Sequence, residues 1–131
     1  MNPEQTMVQE FHKAFDITIK TTPQLPTVKD GDLRVALIQE ELRELELAIH
    51  TGDLVEIADG LGDLLYVVYG AAVTCGIDLQ PVFAEIHRSN MSKVGGHKAA
   101  NGKWIKPATY SKADVVGVLN RQLVPKESNI S

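Results

Sequence analysis

The chain has one cysteine, Cys75, one tryptophan, Trp104, and only 5% aromatic residues among 131. A single thiol excludes an internal disulfide framework, and with no catalytic partner beside it Cys75 reads as a small apolar residue. Long apolar runs are missing too: the longest uncharged stretch, Leu64 to Ile77, spans 14 residues and includes Gly70 and Gly76. Crossing a bilayer takes about 20 apolar residues, so no membrane span is expected. The N-terminal MNPEQTMVQEF lacks the basic and then apolar segments of a secretory signal, and a reducing cytoplasm is the expected location. There is no strand-like alternation, internal repeat or low-complexity tract, which leaves a helical reading. With 44% hydrophobic residues the chain has enough apolar side chain for one small packed domain, and intrinsic disorder is excluded.

Net charge is a modest −4, from 13 Lys and Arg against 17 Asp and Glu, but the signs are separated along the chain. Residues 1–85 hold 15 acids and 5 bases, whereas residues 86–131 hold 2 acids and 8 bases. Six acids, Glu40, Glu41, Glu44, Glu56, Asp59 and Asp63, fall within 24 positions. Such a concentration opposes a polyanionic partner unless a cation intervenes. The basic segment, with its single tryptophan, is a weak nucleic-acid footprint, and no nucleic-acid partner is expected.

Met7, Val8, Phe11, Ala14, Phe15 and Ile19 recur at helical spacing and predict a first amphipathic helix over 4–20. Pro23 and Pro26 end it in a connector that also suits a lid. Asp32 is placed to cap a second helix running to about His50. The triplet at 51–53 closes that helix, and Asp53 caps a third that reaches about Cys75. A loop this short predicts an antiparallel hairpin. Pro81 suits the first turn of a fourth helix ending near Lys93. The expected architecture is all-α and four-helix-bundle-like, with one catalytic domain over 1–95. A basic tail over 96–131 would pack on the bundle or on a partner subunit.

At about 100° per residue, Val35, Ile38, Leu42, Leu45 and Ile49 form one stripe, the expected core face of the second helix. Glu40, Glu41 and Glu44 lie off that stripe, on a second face shared with Leu33, Leu37 and Ala48. On the third helix Glu56, Asp59 and Asp63 share an arc of about 60°. The remainder of that helix is apolar nearly all round, as at the centre of a bundle, so its acids should be partly withdrawn from water. Clustered carboxylates there repel and lose hydration, a cost that protonation or a hard divalent cation relieves. Mg²⁺ suits oxygen ligands and is commonly shared with substrate phosphates. The blander readings are that Asp53-x-x-Glu56 is only a capping box and that the glutamates form a solvated face.

Glu40-Glu41-x-x-Glu44 followed by Glu56-x-x-Asp59 resembles the EExxE…ExxD signature of the all-α NTP pyrophosphohydrolases. The strings EIADGLGDLLYVVYG at 56–70 and HRSNMSK at 87–93 resemble its MazG-like, phosphoribosyl-ATP-pyrophosphohydrolase-like branch. The resemblance covers roughly residues 8–95. It implies a helical homodimer or homotetramer that cleaves a nucleoside triphosphate between the α and β phosphates, with Mg²⁺ as cofactor and Mn²⁺ as a substitute. Carried over, it makes Glu41, Glu44, Glu56 and Asp59 metal ligands, and Glu40 a further ligand or the group that orients and deprotonates the attacking water. Asp63 precedes Leu-Leu as the motif aspartate does in many relatives, so the ligand is Asp59, Asp63 or both. The i,i+3 spacing from Glu56 favours Asp59.

Asn90 and Lys93 continue the inward face of the fourth helix and are candidate substrate contacts, a role the resemblance supports; a plain helix ending is the alternative. Arg88 points away from that face. His12 suits core packing better than base contact beside Phe11 or Phe15. Trp104 lies in a basic strap of unassigned role. The expected activity is therefore Mg²⁺-dependent nucleotide pyrophosphohydrolysis, a form of nucleotide-pool house-cleaning. The rivals are phosphoribosyl-ATP hydrolysis and a non-catalytic metal-binding helical module.

Overall fold

Side-chain caps set the helix boundaries. Asn2 accepts from the Gln5 N–H at 2.8 Å and opens α1 (Pro3–Ala14). The Thr27 hydroxyl accepts from the Asp30 N–H at 3.1 Å and opens α2 (Val28–Thr51) one turn before the expected cap at Asp32. Asp53 accepts from the Glu56 N–H at 3.2 Å and opens α3 (Leu54–Cys75). Left-handed Gly52 and Gly76 close α2 and α3, where a side chain would be strained. The computed structural model describes residues 1–123. It adds α4 (Leu79–Met91), an antiparallel pair of two-residue strands, β1 (His97–Lys98) and β2 (Trp104–Ile105), and α5 (Val115–Leu123). The chain is all-α, as expected, apart from that small hairpin.

Two compact units result, Met1–Leu79 and the chain from Gln80 onward. The expected basic tail over 96–131 includes β1, β2 and α5, and its residues 124–131 lie outside the described residues. In the second unit Gly96 lies against Trp104, whose indole N–H donates to the Lys93 carbonyl at 2.9 Å. Arg88 pairs with Glu85 and donates to the Lys112 carbonyl at 3.1 Å.

The first helix is shorter than its apolar spacing predicts. It stops at Ala14 because Asp16 takes a left-handed conformation, φ 55°, and the Ile17 N–H turns back to the His12 carbonyl. Residues 15–27 then run along the C-terminal end of α3, where the N–H groups of Lys20 and Gln24 donate to the carbonyls of Val73 and Cys75. These bonds fasten the segment that the sequence left open as a lid. Buried Gln5 fixes the other side: its amide donates to the Ile77 carbonyl at 2.7 Å and accepts from the Leu79 N–H at 3.0 Å.

α2 and α3 pack as the expected antiparallel hairpin. Gly60 allows the closest approach, since a Cβ there would lie 3.2 Å from the Leu45 Cα. The apolar stripe of α2 is less buried than expected. Leu45 is in the core, but Val35, Leu42 and Ile49 are each more than half exposed, as are Leu54, Val55 and Leu61 on α3. The first unit offers too little facing surface to cover both sides of this hairpin. By length and apolarity α3 also meets the requirement for a membrane span, which the 14 uncharged residues alone did not. The core helix of a bundle meets it equally, and Glu56, Asp59 and Asp63 in its first three turns oppose burial in lipid.

Two stability outcomes follow. A Cβ at Gly76, φ 69°, would fall onto the Thr22 carbonyl, so Gly76→Ala should lower unfolding stability by about 2 kcal/mol or more in a denaturant titration. His12 is 1% exposed, and burial holds its pKa below the ordinary 6.5, aided by the Arg34 charge and opposed by its bond to the Thr18 carbonyl. The unfolded chain therefore binds the proton first, and wild-type stability should fall as pH drops below about 6.5. His12→Gln should show a flatter stability profile between pH 7.5 and 5 (about the range where histidine titrates), measured by the same titration.

Candidate metal centre

Three carboxylates from two helices converge on the α2–α3 hairpin. Glu41 and Glu44 are one turn apart on α2, and Asp63 reaches them from α3. One carboxylate oxygen from each lies within 4.8 Å of the others. Glu44 and Asp63 are exposed and Glu41 is half-buried; the withdrawal from water expected of the α3 acids is not found, since Glu56, Asp59 and Asp63 are all exposed, and the partly buried acid is Glu41 on α2. Its Oε2 is fully buried with no hydrogen-bond partner among the described residues. None of the three is ion-paired to a basic group among the described residues.

Burial pushes the Glu41 carboxyl above its ordinary pKa, and the charges of Glu44, Asp63 and Glu40 push it the same way. A buried oxygen with free lone pairs, facing two further carboxylates, is satisfied by a proton or by a cation. The donor set is all oxygen and lacks nitrogen or sulfur, which suits Mg²⁺, Mn²⁺ or Ca²⁺ and disfavours softer metals. The residues present therefore fit a hard divalent ion.

The other acids are placed differently. Glu40 is exposed and bears on the cluster through its charge on Glu41. Glu56 sits in the first turn of α3, where its backbone N–H takes the Asp53 cap and its side chain is exposed. Asp59 is exposed one turn before Asp63. Among the described residues the carboxylate group includes Asp63 and neither Glu56 nor Asp59, although spacing had favoured Asp59. Helical register explains the difference. Gly60 fixes the approach of α3 to Leu45, one turn beyond Glu41, and the facing position next along the seam is Asp63.

Asn90, near the end of α4, and Lys93 beyond it belong to the second unit, where the Lys93 ammonium donates to the Asn90 side-chain oxygen Oδ1 at 3.0 Å. Phe11 and Phe15 stack on each other with centroids 4.5 Å apart, and Phe11 meets the edge of Tyr66 on α3. His12 is a core residue whose Nδ1–H donates to the Thr18 carbonyl at 3.0 Å. Cys75 is half-buried, and burial raises its thiol pKa, which makes it less reactive. The sequence reading passed over Arg34, 8% exposed, although it lies seven residues before Glu41 and so on the same face of α2.

Removing one of the repelling charges should show in stability. Glu41→Gln should raise the melting temperature in chelator. Mg²⁺ or Mn²⁺ should raise that of the wild type, by an amount growing with the logarithm of ion concentration, and leave the variant unmoved. Equal shifts in both proteins would contradict the assignment.

Residues 8–90 match the family model described as phosphoribosyl-ATP pyrophosphohydrolase. Over 78 residues the chain is 46% identical to an uncharacterized protein of Acanthamoeba polyphaga mimivirus, a match that covers 60% of this chain and 27% of that protein. This chain thus spans about a quarter of the length of that relative. The family match contains α2, α3 and all three converging carboxylates. The chain belongs to the phosphoribosyl-ATP pyrophosphohydrolase family, in the MazG-like branch of the all-α NTP pyrophosphohydrolases.

Proposed function

We propose that the protein is a Mg²⁺-dependent pyrophosphohydrolase that cleaves ribo- or deoxyribonucleoside triphosphates between the α and β phosphates, giving the monophosphate and pyrophosphate. The observation that carries this reading is the buried, unpartnered Oε2 of Glu41 facing Glu44 and Asp63 in a chain of this family. Glu41, Glu44 and Asp63 would hold the ion, and Glu56 and Asp59, two turns and one turn before Asp63 on α3, are proposed for a second one. A divalent ion held there supplies charge neutralisation on the phosphate oxygens and a more acidic water.

The protein's own part is positioning and proton transfer. Glu40, exposed beside the cluster, accepts a proton from the attacking water. The water oxygen bonds to phosphorus as the bridging bond between the α and β phosphates breaks, and pyrophosphate leaves with the electron pair of that bond. Asn90 and Lys93 are proposed as phosphate or sugar contacts, offering an amide and an ammonium. Hydrolysis of surplus or non-canonical nucleotides in the cytoplasm is the role this chemistry supports.

The same chemistry fits phosphoribosyl-ATP, and the family description favours testing it directly. The exposed apolar residues Leu42, Leu54, Val55, Leu61 and Leu65 support assembly as a homodimer or homotetramer, since burying them against a second copy removes apolar surface from water. The proposed catalytic domain is 1–95, with the basic tail packing on the bundle or on a partner subunit.

Pyrophosphate release from nucleoside triphosphates and from phosphoribosyl-ATP tests the reading. Release should require Mg²⁺ or Mn²⁺ and fall about a hundredfold or more in Glu41→Gln. No release from any of these substrates by a folded protein that still binds Mg²⁺ would leave the non-catalytic metal-binding module. Light scattering on the same sample should give a mass at least twice the 14.3 kDa of one chain.

A further inference from the structure

Two short stretches of the chain sort its charge by sign. Residues 44–59, the end of α2, the turn and the start of α3, hold five acids and no Lys or Arg. Residues 89–113, from the end of α4 through the β1–β2 hairpin, hold five lysines and no acid. Lys98, Lys103 and Lys112 have no ion pair among the described residues, and neither have the five acids. Lys93 bonds to Asn90, and the Lys106 ammonium lies 4.5 Å from the centre of the Tyr110 ring.

The basic stretch is held at its base. The Ser111 N–H donates to the Ser92 hydroxyl at 2.9 Å and Arg88 donates to the Lys112 carbonyl at 3.1 Å, so its two ends meet. Between them Lys98 lies opposite Trp104 in the antiparallel register, which puts the two side chains on one face of the hairpin. The indole N–H is held by the Lys93 carbonyl, yet Trp104 is 43% exposed, and Ile105 and Val94 are exposed as well. A fixed aromatic ring that stands out among cations has the composition of an interface anchor. The acidic stretch is apolar as well as charged: Leu47, Ile49, Leu54 and Val55 are each more than half exposed there. Each copy of the chain thus carries a tryptophan among lysines and, elsewhere, apolar side chains among carboxylates.

We propose that the basic β1–β2 hairpin of one copy docks on the acidic α2–α3 turn of a second copy, with Trp104 against the exposed apolar side chains and the lysines against the carboxylates around them. Charge selects this occupant. A polyanion drawn to five lysines is repelled by the 14 acids that outnumber 5 bases over residues 1–79, whereas a second copy offers the hairpin an acidic surface. About a twofold axis each copy gives one hairpin and receives one, so the contact closes as a dimer. Resting on the assembly part of the proposed function and not on hydrolysis, the contact names the surfaces through which copies meet. Salt weakens such a contact, because exposed charges are screened beyond about 10 Å at 0.1 M ionic strength.

Sedimentation velocity of the full chain, together with the emission of Trp104, its sole tryptophan, tests the contact. Raising salt from about 0.05 to about 0.5 M should weaken association about tenfold or more and move the emission to the red as the ring returns to water. At low salt the double variant Lys98→Glu with Lys103→Glu should weaken association by a similar factor, and so should Glu46→Lys. All three positions are exposed, so the fold is kept. Lys20→Glu with Lys29→Glu makes the same change in net charge at exposed positions outside the hairpin and should leave association within about twofold of wild type. Association that ignores salt and the hairpin and Glu46 variants would overturn the proposal while leaving the assembly reading in place. An equal loss in the control variant would assign the effect to net charge and overturn it too. A protein that stays monomeric at every concentration would overturn both readings. Trp104 emission that answers a single-stranded oligonucleotide and not protein concentration would give the hairpin to a nucleic acid instead, against the proposal.

Discussion

The close antiparallel approach of α2 and α3 is the constraint on which the rest depends. Gly60 lets the backbone of α3 come to van der Waals distance of the Leu45 backbone. From that contact the register runs in both helices at once, bringing Asp63 to Glu41 and Glu44 and, two turns further, Gly70 to Arg34. The same seam thus carries a cluster of negative charge and a buried positive one. The carboxylate cluster has no basic partner among the described residues, which is the pattern of a surface arranged for an external ligand rather than for stability alone.

The first unit holds this seam in place by polar contacts as much as by apolar packing. Three nearly inaccessible side chains do this: Gln5 ties α1 to the turn after α3, His12 ties α1 to the 15–27 segment, and Thr74 ties that segment to the C-terminal end of α3. Val8, Leu45, Ala48, Ala72 and Val73 complete a small core. A domain with so little fully buried apolar surface has two ways to gain stability. A divalent cation would quiet the carboxylates at one end of the seam, and the proposed second copy would cover the leucines left outside.

Much of the fold was legible because its signals are local. Asp53 and Gly52 mark the α2–α3 turn within three residues, and the acids of the Glu40-Glu41-x-x-Glu44 motif fall on one side of α2 by periodicity alone. What the sequence obscured depends on contacts between distant residues. Ile19 continues the spacing of α1, yet the chain leaves the helix at Asp16 to reach Val73 and Cys75. The choice between Asp59 and Asp63 turns on how far α3 slides along α2, which periodicity within one helix does not encode. Val35, Leu42 and Ile49 read as core by their spacing but lie exposed in the single chain, because periodicity marks an apolar face without saying which surface covers it. Arg34 was passed over for a related reason: its burial comes from Gly70 and His12, on other helices.

The central claim is that the metal centre is built by the register of α2 against α3, so that Asp63 rather than Asp59 completes it. Mn²⁺ binding, followed by the loss of the free-ion electron paramagnetic resonance signal in the wild type, Asp63→Asn and Asp59→Asn, tests this most directly. The account predicts that Asp63→Asn weakens the tightest Mn²⁺ site about tenfold or more while Asp59→Asn leaves it within about twofold of wild type. Loss of that site in Asp59→Asn with retention in Asp63→Asn would contradict it.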